Sequence, residues 1–302
     1  MRKVQKIVVA SIVVIVVIIM AGLLYVYRMQ LRDLIDTRRR VKLPQAEDYQ
    51  AAGPELSSED ILADEAGANE QDESDSVGAE QNADNVNEVS ASPESTIRIS
   101  RTEIPSSYNL AVPFQPQAPF ANWDLPYQEA CEEASLVMAS RFFTNRGLSA
   151  EEMDAEIKRL VAWEQKTFGY YEDTTAQEVA LMAQNYFGLS ARVDMDVSVD
   201  NIKSQIANSR LVLVPAAGRI LPNPYFSGEG PLYHMLIIRG YTDKYFITND
   251  PGTKRGKEFL YSYDDLLGAV HDWPSYKGAS ISKPTEEDVA SGQKVMIVVG
   301  AG

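Results

Sequence analysis

The sequence holds one cysteine, Cys131, and two histidines, His234 and His271. A thiol becomes a nucleophile when three things converge: a lowered thiolate pKa, a base nearby, and a group that orients the base. Ala134, Val137, Met138 and Phe142 follow Cys131 at helical spacing, so a helix is predicted to begin at or just before the cysteine. The free N–H groups and positive dipole end of such a helix favour a thiolate. The competing reading of a lone cysteine on an apolar helix is a small buried hydrophobe.

His234 enters an apolar run, Tyr233 to Tyr241, behind a loop rich in Gly and Pro. A strand there puts the imidazole at a strand entrance beside an irregular loop, where it can face a cleft. The chain then turns and returns through a second strand, 244–249, to Asp250. With a three-residue loop, Tyr241 to Asp243, His234 stands directly opposite Asp250 on one sheet face, as a base and its orienting carboxylate require. A two-residue loop at Thr242–Asp243 sets Pro251 there instead and leaves Asn249 as the substitute. The plain alternative for Asn249 to Gly252 is an ordinary turn. His271 fits a structural role in the last turn of a predicted helix, where a cation complements the dipole.

The elements that must position these residues follow from periodicity and capping. Ser149 with Glu152 predicts a helix to about Lys166, and Thr175 with Glu178 opens another that Gly188 closes. A short helix is predicted over Val199 to Asn208, and a last one from Ser262 and Asp265 to near His271. Strands are predicted at Ala191–Val197, Leu211–Ala216, Tyr233–Tyr241, Lys244–Asn249, Glu258–Tyr261 and Val295–Val299. Helices first and strands after make an α+β domain over residues 98–302.

Residues Ile7 to Tyr27 form a charge-free apolar run, long enough as a helix to cross a bilayer, behind a basic tail over residues 1–6. It reads as an uncleaved signal anchor, and the domain is expected to be extracytoplasmic. The basic residues Arg28, Arg32, Arg38, Arg39, Arg40 and Lys42 after the run argue the other way by the positive-inside rule. Residues 28–97 are expected to be a linker, whose part from residue 43 onward has no Lys or Arg before Arg98 and should be a disordered acidic tether.

A formal net charge of -15 sets the chain against nucleic acid as a partner, because phosphate binding needs a basic surface. One cysteine allows no internal disulfide, and one Cys with two His is short of a zinc set. No metal and no cofactor is expected, and the oligomeric state is left open.

Several blocks together resemble a known family. They are Val112-Pro-Phe-Gln-Pro-Gln-Ala-Pro-Phe-Ala-Asn-Trp123, Gln128-Glu-Ala-Cys-Glu-Glu-Ala-Ser135, His234 to Tyr241, Asn249-Asp-Pro-Gly-Thr253 and Ala269-Val-His-Asp-Trp273. In this order they resemble the papain-like cysteine peptidases related to bacteriocin (double-glycine leader) processing enzymes, over roughly residues 110 to 275. The resemblance implies a papain-like fold with Cys131 as nucleophile, His234 as base and Asp250 as orienting acid. It also implies an upstream glutamine that helps hold the oxyanion with the Cys131 N–H: Gln117, or Gln128, which is nearer in sequence. Relatives often carry glycine before the cysteine. Here Ala130 stands, and would be strained at positive φ. Glu132 and Glu133 fit the family and are predicted to face solvent; if either approached the thiol, it would raise the cysteine pKa and oppose catalysis.

The leading expectation is thus a membrane-anchored hydrolase that cleaves a peptide or amide bond in a peptide or protein substrate through a thioester. The alternatives are a catalytically inactive tethered binding module on the same fold, and transglutaminase-type acyl transfer.

Overall fold

From residue 103 onward the apolar runs of the sequence become an antiparallel sheet, and helices pack on it. The computed structural model describes residues 2–40, 42–50, 103–274 and 284–302. Its helices are α1 (Arg2–Arg40), α2 (Cys131–Phe143), α3 (Ala150–Thr167), α4 (Ala176–Asn185), α5 (Val199–Ala207), α6 (Tyr263–Ala269) and α7 (Glu286–Ala290). The strands are β1 (Tyr108–Asn109), β2 (Ser190–Asp194), β3 (Leu211–Ala217), β4 (Tyr233–Tyr241), β5 (Tyr245–Asn249), β6 (Phe259–Ser262) and β7 (Met296–Gly300). They lie in the order β2-β7-β3-β4-β5-β6, with β1 paired to the far end of β4. Every residue of β3 and β4 is buried, which is why both read as continuous rather than alternating apolar runs.

The capping boxes at Ser149/Glu152 and Thr175/Glu178 form in both directions and start α3 and α4. Each such cap is worth about 1 kcal/mol. Gly188, at φ 67°, closes the turn after α4. A third box, Thr285 with Asp288, opens α7, so the helix at Ser262 is not the last. His271 lies past the end of α6 rather than in its final turn, and its Nδ1 lies 2.9 Å from Gly292 O.

Helix α2 packs against β4, α3 and α4, and all residues from Cys131 to Ala139 are buried. Glu132 and Glu133 are therefore 1% and 0% exposed, against the expectation that they face solvent. A helix covered by a sheet and two further helices has no wet face for its first turns to use. Ala130 raises no difficulty, since its φ is -101°.

Neither predicted hairpin loop occurs. The β4–β5 pairing begins at Tyr241↔Phe246, and a bulge lies between Ile238 and Gly240 before Ile238↔Thr248 and Ile237↔Asn249. Carried one step further, this register sets Asp250 against Leu236, one diagonal step from His234 on the same face. The bulged residue, Arg239, is 2% exposed and donates to Asn109 Oδ1, Val112 O and Asn249 Oδ1. It ties β1, the chain after it and β5 together.

In α1 the stretch Val13–Ile35 has a mean hydropathy of 2.0, is not buried, and is long and apolar enough to cross a membrane. The helix continues through the basic residues to Arg40, and residues 44–49 lie against the domain. The first part of the expected linker is thus helix and docked chain. The acidic tether expected over residues 51–97 lies outside the described residues.

Candidate active site

Three element ends meet at one cleft of about 1330 Å³: the start of α2, the start of β4 and the turn after β5. Cys131, Gln117 and His234 line it, with Tyr225, Phe226 and Gly252. Asp250 lies behind His234 and is fully buried.

His234 Nε2 is 2.7 Å from Asp250 Oδ1. The same oxygen accepts from Gly252 N–H at 3.0 Å, while Oδ2 accepts from Tyr261 Oη at 2.7 Å and Asn223 Nδ2 at 2.9 Å. Burial pushes the Asp250 carboxyl up, but His234 and these hydrogen bonds outweigh it and hold the pKa below its ordinary value. An ionised Asp250 keeps the proton of a neutral imidazole on Nε2 and leaves Nδ1 as the basic nitrogen. The Phe226 ring packs edge-on against the imidazole at 5.3 Å. Asn223, Phe226 and Tyr261 were not singled out from the sequence. The only signal for Asn223 and Phe226 was their place in the loop rich in Gly and Pro that precedes His234.

Gly252 packs directly on the catalytic candidate. A Cβ there would stand 2.9 Å from His234 Cε1 and 3.0 Å from Phe226 Cε1. Gly252→Ala should push the imidazole aside and lower kcat by roughly 10- to 100-fold with little change in KM. Steady-state kinetics on the variant, with circular dichroism to verify its fold, checks this. An unchanged kcat would mean that the ring position is not critical.

Cys131 is the first residue of α2 and 6% exposed. Its thiol donates to Glu132 Oε2 at 2.9 Å, and no hydrogen bond joins it to His234 among the described residues. Burial pushes the Cys131 pKa well above its ordinary value, and the charges of Glu132, Glu133 and Asp173 add to this. The helix start does not produce a low thiolate pKa in this arrangement, because the thiol is buried and two acids occupy the first turn beside it. Glu132 is itself pushed well up, by burial and then by Glu133 and Asp173, and its Oε1 accepts from Thr174 N–H at 3.0 Å.

Gln117 Nε2 donates to Tyr127 O at 2.9 Å and Gln128 O at 3.1 Å. Both amide hydrogens are engaged, and its buried Oε1 has no hydrogen-bond partner among the described residues. Gln128 is exposed and donates to Glu129 Oε1 at 2.7 Å.

Behind the cysteine, Glu133 and Glu164 are both 0% exposed, and neither carboxyl receives a hydrogen bond from a donor group among the described residues. Burial raises both pKa values, and the charge of Glu164 raises that of Glu133 further. A folded-state pKa above the unfolded value of about 4.3 leaves stability intact below that pH and removes it as pH rises towards the folded value. Glu164→Gln supplies an amide donor and removes one charge, so its stability advantage should grow between pH 5 and pH 8 by about 1–3 kcal/mol. Urea unfolding at the two pH values tests this, and parallel pH profiles for both proteins would refute it.

An antiparallel sheet carrying a cysteine-bearing helix, with His and a carboxylate facing it across a cleft, defines a papain-like fold. Residues 109–281, more than half of the chain, match the Peptidase_C39 like family, and the chain belongs to that family. Family and fold together support a peptidase-like function. Among solved structures the chain is similar to a crystal structure from Bacillus anthracis described as a C39-like peptidase, at 14% identity and a TM-score of 0.40, covering 64% of this chain and 96% of that one. No curated protein matches the sequence.

Proposed function

We propose that the protein is a membrane-anchored cysteine peptidase in which Cys131, His234 and Asp250 act together. The observation that carries this reading is the buried His234–Asp250 pair, held by three further donors and opening onto the cleft that Cys131 lines. A histidine kept only for packing would not need a fully buried carboxylate fixing its tautomer.

In the reaction, His234 Nδ1 takes the thiol proton as Cys131 Sγ attacks the scissile carbonyl carbon. The Cys131 N–H at the start of α2 faces the developing oxyanion, and Gln117 joins it by releasing one of its two carbonyl bonds. The C–N bond then breaks, the imidazolium returns its proton to the leaving amine, and a thioester remains. Water, deprotonated by His234, hydrolyses the thioester to an acid and the free thiol. The apolar run of α1 anchors the enzyme, and the domain is extracytoplasmic.

One observation favours a second reading, a tethered peptide-binding module: the thiol is bonded to Glu132 and not to His234. Incubation of the full-length protein with a peptidyl chloromethyl ketone separates the two. The peptidase reading expects alkylation of Cys131 that is fast relative to iodoacetamide and suppressed in His234→Ala. Alkylation no faster than that of a denatured chain would leave the binding module.

A further inference from the structure

An acidic stretch of some fifty residues between anchor and domain would ordinarily let the domain range far from a membrane. The chain on either side of it is arranged otherwise. Glu47 N–H donates to Asn109 O at 2.9 Å and Ala111 N–H to Glu47 O at 2.7 Å, forming a bridge beside β1. Tyr108 Oη donates to Glu47 Oε2 at 2.7 Å. The Tyr49 ring packs edge-on against Phe142 and Phe143 at 5.6 and 5.1 Å, and Asn145 Nδ2 donates to Tyr49 O at 3.0 Å. Because residues 44–49 already sit on the domain, the residues after them add nothing to the distance between α1 and the cleft.

The end of α1 is fastened too. Asp33 pairs with Arg255 at 3.0 Å and accepts from Tyr225 Oη at 2.9 Å. The Arg255 guanidinium lies 4.9 Å from the Tyr225 ring centre, and Arg40 donates to Arg255 O at 2.9 Å. Tyr225 and Lys254 line the cleft, so α1 holds its rim. A single exposed ion pair would contribute little. Here the docked segment just beyond keeps the partners together at high effective concentration.

The charge-free part of α1 stops at Tyr27, and Asp33 follows about 9 Å further along the helix axis. That is just beyond one headgroup layer, which is about 5–7.5 Å thick. Arg28, Arg32, Arg38, Arg40 and Lys42 belong to the same stretch, in a chain of net charge -15, and suit anionic headgroups.

We propose that the end of α1 and residues 44–49 form a strap that holds the cleft rim at the bilayer surface. The polypeptide this cleft takes is then one lying on that surface or emerging from it, not one free in solution. The substrate clause rests on the peptidase reading, and the position of the rim needs only α1 as the membrane span.

Two measurements on the full-length protein in nanodiscs test the two parts separately. For position, Cys131→Ser/Lys254→Cys protein carries a fluorophore, and lipid with a nitroxide headgroup should quench it at least twofold. Adding Asp33→Lys with Tyr49→Ser should reduce the quenching towards background, and further adding Arg255→Glu should restore part of it. For substrate class, the chloromethyl ketone probe is offered free or joined to a lipid. Wild-type Cys131 should react at least tenfold faster with the lipid-joined form, and the Asp33→Lys/Tyr49→Ser protein less than threefold faster. Absent quenching, or quenching that ignores these substitutions, overturns the strap. Quenching with equal reaction of both probes overturns the substrate class, and quenching with neither probe reacting upholds the strap while sinking the peptidase reading.

Discussion

Asp250→Asn is expected to lower kcat/KM by about 10³-fold while leaving the fold intact. The Asp250 carboxylate accepts four hydrogen bonds in a site with no water exposure, two at each oxygen. Asparagine keeps the shape but replaces one acceptor with an NH₂ group. Turned towards His234, that NH₂ forces the imidazole proton onto Nδ1 and removes the base. Turned towards Tyr261 and Asn223, it opposes the Asn223 amide and still leaves the imidazolium without its counter-charge. Asp250→Ala should do more, because it strands several buried donors and should destabilise the fold by about 3 kcal/mol or more. Initial rates and thermal melts of the two variants separate loss of orientation from loss of fold. An Asp250→Asn enzyme with more than a tenth of wild-type activity would exclude Asp250 as the orienting acid.

Glu132→Gln is expected to act in the opposite direction and make Cys131 more reactive. The thiol and the Glu132 carboxyl are 2.9 Å apart and both buried, so they cannot both ionise without a large penalty. Glutamine keeps one acceptor oxygen for the Thr174 N–H and turns its NH₂ towards the sulfur, to which it can donate, and it carries no charge. The apparent thiol pKa should fall, and iodoacetamide alkylation at pH 7.5 should speed up about tenfold. Glu132→Ala is the control, since it also removes the charge but leaves Thr174 N–H unpartnered. A rate profile against pH that does not move in Glu132→Gln would mean that burial alone sets the thiol pKa.

How much of this was legible in the sequence differs from residue to residue. The helix at Cys131 and the strand at Tyr233–Tyr241 were, because apolar periodicity and continuous apolar runs are local signals. The boxes at Ser149 and Thr175 were too, because a capping side chain reaches only three residues along the chain. The same-face relation of His234 and Asp250 survived an incorrect loop length, since strand parity tolerates a shift of two. The register itself was not legible. It depends on the bulge at Arg239, which is held by Asn109 and Val112, far away in sequence.

The sequence by itself determined the membrane-length apolar run, the α+β class, and the family to which Cys131, His234 and Asp250 point. Each of these follows from residue types and spacings that carry their meaning within one element, or from blocks in a fixed order. Only the tertiary structure decided that Glu132 and Glu133 are buried, because that depends on the sheet and two helices closing around α2. It alone brought Asn223 and Tyr261 to the far side of Asp250, and laid residues 44–49 on β1. These are contacts between segments distant along the chain, and no local pattern in either partner announces the other.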